Sequence, residues 1–85
     1  MPPTPDARRR SLLATLLFAA TVTASVRELV RDLELVHGIA ASADQVRGDL
    51  SWLREQGFVQ VSGDTAQITE RGRDVAGRRA PWPGE

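Results

Sequence analysis

Apolar residues recur along this chain with a helical rhythm that repeats three times and then gives way to a strand-like one. Val46, Leu50 and Leu53 fall at i, i+4 and i+7, one stripe of a helix, and Gly57 follows the last turn, where a left-handed residue closes a helix. Ser42 stands before the stripe with Gln45 three positions on, the capping-box spacing in which each side chain satisfies a backbone N–H left free by the helix start. Upstream, Val26, Leu29, Val30, Leu33 and Val36 repeat at helical spacing behind a second capping box, Ser25 with Glu28. That helix is predicted to run to about His37 and to close on Gly38. Further upstream, Leu12, Leu16, Ala19 and Ala20 share one side with Leu13 and Leu17 beside them, which predicts a first helix over residues 7–20 with a wide apolar face. Thr21, Val22 and Thr23 are β-branched, break that helix and leave room for a short strand against a later hairpin.

After Gly57 the period changes. Phe58-Val59-Gln60-Val61 and Ala66-Gln67-Ile68 read as two short strands around the hairpin turn Ser62-Gly63-Asp64-Thr65. Thr69-Glu70-Arg71-Gly72 then starts a last helical segment with Val75 and Ala76 facing inward. Pro81-Trp82-Pro83 cannot continue it, and Trp82 either folds back on the core or stays free to touch a partner. Residues 1–6 are predicted as a disordered tail and 81–85 as a Pro-rich tail, which leaves 7–80 as the domain. A mainly α chain with a small β-hairpin, in which a capped helix runs straight into a two-stranded wing, has the pattern of a winged helix-turn-helix. Its expected parts are three helices, the wing and a short C-terminal helical segment, with Val46, Leu50, Leu53, Leu29, Leu33, Leu16 and Phe58 in one core.

Composition adds limits. A chain of 85 residues with 41% hydrophobic content holds one small core. There is no cysteine, hence no disulfide framework and no thiolate metal site, which suits a cytoplasmic location. Arg8-Arg9-Arg10 before the apolar run of residues 12–22, followed by Thr23-Ala24-Ser25, imitates an export signal, even a twin-arginine one. Cleavage after Ala24 would delete a helix the fold requires, so the amphipathic helix is the preferred reading. The run also falls short of the ~20 residues a membrane span takes, and no membrane partner is expected. The width of this helix's apolar face implies either a central place in the core or packing on a second subunit, with Leu12, Leu13, Leu16 and Leu17 as the candidate homodimer interface.

Candidate chemistry concentrates on the helix over residues 43–56. Opposite its apolar stripe lie Asp44, Arg47, Gly48, Ser51, Arg54 and Glu55. Arg47, Ser51 and Arg54 are suited to base edges or phosphates, and Gln45 and Ser42 stand near the helix start, whose amides favour phosphate. Gly48 is unfavourable inside a helix by about 1 kcal/mol relative to Ala, and close approach of another surface would be a reason to keep it. Arg71 and Arg73 make the C-terminal end locally basic and complete the candidate DNA-binding set. Two features oppose strong DNA binding: eleven arginines, with no lysine, balance eleven acids to a net charge of zero, and the wing offers Asp64 where a DNA-gripping wing usually offers a cation. The same face is also read as an ordinary solvated surface in which Asp44 pairs with Arg47. Trp52 lies on the flank, positioned for helix two or the wing. His37, the only histidine, stands alone at a helix C-terminus, where a cationic side chain is favourable in any case. With no phosphate loop and no metal-spaced cluster, no catalysis, cofactor or metal is expected.

The motifs Asp44-Gln45-Val46-Arg47, Asp49-Leu50, Trp52-Leu53, Glu55-Gln56-Gly57, Ile68-Thr69-Glu70-Arg71-Gly72 and Asp74-Val75-Ala76 resemble those of a family of small winged-helix proteins of Mu-like phages and prophages. The resemblance covers roughly residues 7–80. It implies a winged-helix fold and a phage or prophage origin, and it implies no target. The functional expectation is a DNA-binding transcriptional regulator that reads the major groove of double-stranded DNA with the 43–56 helix. The alternative is a protein-interaction module on the same fold, a phage assembly factor or an inhibitor of a host system, that binds no DNA.

Overall fold

Three capped helices, a hairpin and a short fourth helix succeed one another in the computed structural model, which describes residues 4–19 and 23–85. The order is α1 (Pro5–Leu17), β1 (Ala24–Ser25), α2 (Val26–His37), α3 (Ala43–Glu55), β2 (Val59–Ser62), β3 (Thr65–Ile68) and α4 (Glu70–Ala76). Both predicted capping boxes form. The Ser25 hydroxyl accepts from the Glu28 amide at 3.1 Å, and the Ser42 hydroxyl accepts from the Gln45 amide at 3.0 Å. Gly38, with φ 67°, closes α2.

The first helix begins earlier than residue 7. Thr4 caps it by accepting from the Ala7 amide at 3.1 Å, and Pro5 occupies the first turn, where a missing N–H is no loss. Residues 4–6 therefore belong to the folded unit, while residues 1–3 of the expected tail lie outside the described residues. The helix ends at Leu17 rather than at residue 20, which, with Thr21 and Val22, also lies outside the described residues.

The molecule is mainly helical with a small antiparallel sheet of three strands, one more than the expected wing. The strand order is β1-β3-β2, with Ala24 opposite Ala66 and Ser25 opposite Thr65. The extra strand precedes the Ser25 cap, so sheet pairing and helix capping meet at one residue. The β2–β3 turn is a two-residue loop whose first position, Gly63, has φ 57°, the left-handed backbone that a type II′ hairpin requires there.

Val46, Leu50, Leu53, Leu29, Leu33, Leu16 and Phe58 all share one core. Leu12 and Leu13 are buried in it as well, and Leu17 packs against its edge. The wide apolar face of α1 thus has an internal explanation, because the helix lies centrally, touching α2, α3, α4 and β3. Leu12, Leu13 and Leu16 are not available to a second subunit, which corrects the expected dimer interface: a helix covered on several sides needs apolar residues on several sides.

The C-terminal tail is likewise part of the packing. Trp82 is 6% exposed; its ring lies 5.6 Å from that of Trp52 and 6.0 Å from that of Phe58. Its indole N–H donates to Asp6 Oδ1 at 2.6 Å, so the start of α1 meets the C-terminal tail. Trp52 packs against the tail and under the Arg9 guanidinium, 4.6 Å from its ring centroid. Among the described residues no helix is long and apolar enough to cross a membrane.

Candidate nucleic-acid interface

The orientation of α3 is set from behind by a charge. Asp49 lies on the buried side of the helix, 1% exposed, and its carboxylate meets two consecutive arginines of α1. Arg8 approaches it through Nε and through Nη2, the latter at 3.1 Å, and Arg9 Nε donates to Oδ1 at 3.1 Å. A carboxylate taken out of water needs such partners, and the bond from Asp49 raises the Arg8 pKa against the desolvation that lowers it. Arg9 continues over Trp52 on the same helix. Two arginines of the run that imitates an export signal, Arg8 and Arg9, thus join α1 to α3.

Sequence reasoning passed over Asp49, although a signal was present. It stands three residues after Val46 and four before Leu53, on the apolar stripe itself, and a lone acid there calls for a buried cation. Nothing local indicates that the cation comes from residues 8 and 9.

With α3 fixed in this way, its opposite face is exposed. Arg47, Ser51 and Arg54 line one shallow cleft of about 170 Å³, floored by Val26, Leu50 and Val61 and bounded by Gly63 of the hairpin turn. These three predicted residues are brought together. Gly48 is exposed beside them, and a Cβ added there would meet nothing within 4 Å, so nothing among the described residues accounts for the glycine.

The other predicted residues fare differently. Ser42 and Gln45 are engaged in the capping box, where Gln45 Oε1 accepts from the Ser42 amide at 3.0 Å. In this structure their side chains serve the helix end, and both residues are exposed. Arg71 places its guanidinium over the Phe58 ring, 5.7 Å from the centroid, and neither Arg71 nor Arg73 lines the cleft.

Arg47 is already occupied. Its Nε donates to Asp64 Oδ1 and its Nη2 to Asp64 Oδ2, both at 3.2 Å, while Nη1 reaches Asp44 Oδ1 at 3.1 Å. The expected Asp44–Arg47 pair is thus present, but the stronger geometry is the two-pronged one to the turn. Hydrogen bonding from Arg47, reinforced by its charge, holds the Asp64 carboxyl below its ordinary pKa, and Asp64 raises that of Arg47 in return. Arg54, by contrast, makes no ion pair among the described residues. His37 is explained structurally, its Nε2 lying 3.1 Å from the Thr15 hydroxyl. No protein family, curated protein or solved structure matches the chain.

Proposed function

We propose that this chain is a winged-helix DNA-binding protein, a phage or prophage transcriptional regulator that lays α3 in the major groove. The observation that carries the reading is the outward face of α3, where Arg47, Ser51 and Arg54 line one exposed cleft beside the hairpin turn. The element order α1-β1-α2-α3-β2-β3, with strand order β1-β3-β2, supports a winged-helix assignment. Arg54, with no ion pair among the described residues, is placed to meet a guanine edge or a phosphate, and Gly48 leaves room for a backbone to come close. The resemblance of the stretch from α3 to α4 to the small proteins of Mu-like phages supports the phage context.

A gel-shift titration tests the reading, using duplexes from the surrounding phage DNA and a random duplex at low and moderate salt. The expected result is binding at low salt that weakens as salt rises, with Arg54→Ala weakening the cognate duplex more than the random one. Absence of any shift at low salt overturns it.

Two observations favour a second reading. The Arg47 charge is already matched by Asp44 and Asp64, and the whole chain has a net charge of zero, a poor footprint for phosphate. A winged-helix module that binds a protein would show no shift at low salt and would lose a protein complex on Arg54→Ala.

A further inference from the structure

We propose that the Asp64 carboxylate is a built-in stand-in for a DNA phosphate: it holds Arg47 across the cleft between α3 and the hairpin turn and is displaced when duplex DNA arrives. The inference rests on the DNA-binding reading above and adds to it a regulation of the same face.

The geometry of the pair is that of anion recognition. A guanidinium edge presents two parallel N–H groups, a fork that fits a carboxylate and a phosphate equally well. Asp64 fills the Nε and Nη2 edge of Arg47 with two bonds of equal length, 3.2 Å each. The cleft beside this pair is lined by Ser51 and Arg54 as well as Arg47, so an anion that takes the place of Asp64 on Arg47 has a second cationic residue on the same cleft. The Asp64 side chain is 66% exposed, and exposed pairs of this kind are weak and screened by salt. An incoming phosphate can therefore exchange with it.

A structural role for the pair is the competing explanation, and the turn itself argues against it. The Asp64 main chain is anchored independently, its carbonyl accepting from the Val26 amide at 2.8 Å. The Thr65 hydroxyl donates to the Ser62 carbonyl at 2.7 Å, and Gly63 supplies the positive φ. The carboxylate can swing away while the hairpin stays in place. Asp44 differs, since it gives Arg47 a single bond and sits in the first turn of α3, where an acid is favourable without any partner.

The consequence is discrimination. A random duplex has only a phosphate with which to displace Asp64, whereas a cognate duplex also offers base edges to Arg54 and Ser51. Asp64 thus lowers non-specific affinity more than specific affinity.

Fluorescence anisotropy on a labelled random-sequence duplex tests this across a salt series, using wild type, Asp64→Asn, Arg47→Ala, the double variant, and Glu34→Gln as a control of equal charge on exposed α2 surface. Asp64→Asn is expected to bind several-fold more tightly at low salt, with a log–log salt slope steeper by about one. That gain should vanish when Arg47→Ala is also present, and Glu34→Gln should not reproduce it. Binding by Asp64→Asn where wild type shows none would support the proposal equally. A gain that survives Arg47→Ala, a gain matched by Glu34→Gln, or no gain at all would overturn the stand-in while leaving DNA binding intact. Absence of binding by both wild type and Asp64→Asn at low salt would overturn the inference together with the reading beneath it. Circular dichroism checks that each variant is folded, and Asp64→Ser replaces Asp64→Asn if that variant is not.

Discussion

Gly48 and Gly72 both lie inside helices, and a methyl group has opposite consequences at the two. At Gly48 a Cβ would meet nothing within 4 Å, so Gly48→Ala removes backbone freedom from the unfolded chain without a clash. Urea denaturation should show a gain of about 0.5–1 kcal/mol. If a DNA backbone approaches there, the same variant should lose affinity while gaining stability. At Gly72 a Cβ would come within 2.1 Å of the Phe58 carbonyl oxygen and 2.9 Å of Ile68 Cγ1. Backbone cannot give way as a flexible side chain does, so Gly72→Ala should lose about 1–3 kcal/mol or more in the same measurement. The contact exists because Thr69 draws α4 against the end of α3: its amide donates to the Phe58 carbonyl at 2.9 Å and its hydroxyl to the Gly57 carbonyl at 2.7 Å. The spacing from Thr69 to Gly72 is visible in the sequence, but its reason lies twelve residues away.

Between elements, charge adds to apolar contact in setting how one helix is rotated against another. Asp49 can meet Arg8 and Arg9 only if α3 turns its outward face away from α1. Asp49→Ala leaves two part-buried guanidiniums without their carboxylate, and thermal or urea unfolding should show a loss of about 3 kcal/mol. The variant should also weaken any ligand of the α3 face by disturbing its presentation. The link between α1 and the tail is titratable. The indole of Trp82, with Arg10 assisting, holds the Asp6 carboxyl below the ordinary value of 3.8. A carboxyl depressed in the folded state adds stability that is present above its unfolded pKa and is lost as pH falls through the folded one. Asp64, depressed by Arg47, acts in the same direction. Stability followed by tryptophan fluorescence should therefore decline below about pH 4, and Asp6→Asn should make that decline shallower.

For the molecule as a whole, the question is what the surface is left to do. Leu12, Leu13 and Leu16 are inside, and the start of α1 and the C-terminal tail are drawn onto the same core. Arg10 bridges them, lying over the Trp82 ring at 4.9 Å and reaching Glu85 at 2.5 Å. Light scattering at micromolar concentration should accordingly show a 9.3 kDa species. A species of twice that mass would place the contact elsewhere, with Phe18, 82% exposed at the end of α1, as the first residue to change. A monomer that binds DNA would read a single half-site, and its affinity would depend heavily on phosphate contacts, which is where a carboxylate held against Arg47 has most influence.

Capping, periodicity and turn chemistry act over three to seven residues, and what depends on them was legible in the chain alone. Ser25, Ser42, Gly38 and the Gly63-Asp64 turn stand where local backbone geometry requires them, and the α2, α3 and core assignments follow. Other features bring together residues far apart in the sequence, and only the tertiary structure decided them. A two-residue strand pairs only because residues 65 and 66 arrive beside it. The wide face of α1 is internal because α4 and the tail cover what α2 and α3 do not. Asp49 meets its arginines across a separation of about forty positions, and Trp82 meets Asp6 across most of the chain. The candidate site divides in the same way. That Arg47, Ser51 and Arg54 share a face is a property of the helical repeat, whereas the occupation of Arg47 by Asp64 follows from where the hairpin folds back. Side-chain spacing along a helix is fixed by its pitch, but the partner a charge finds depends on which elements pack against it.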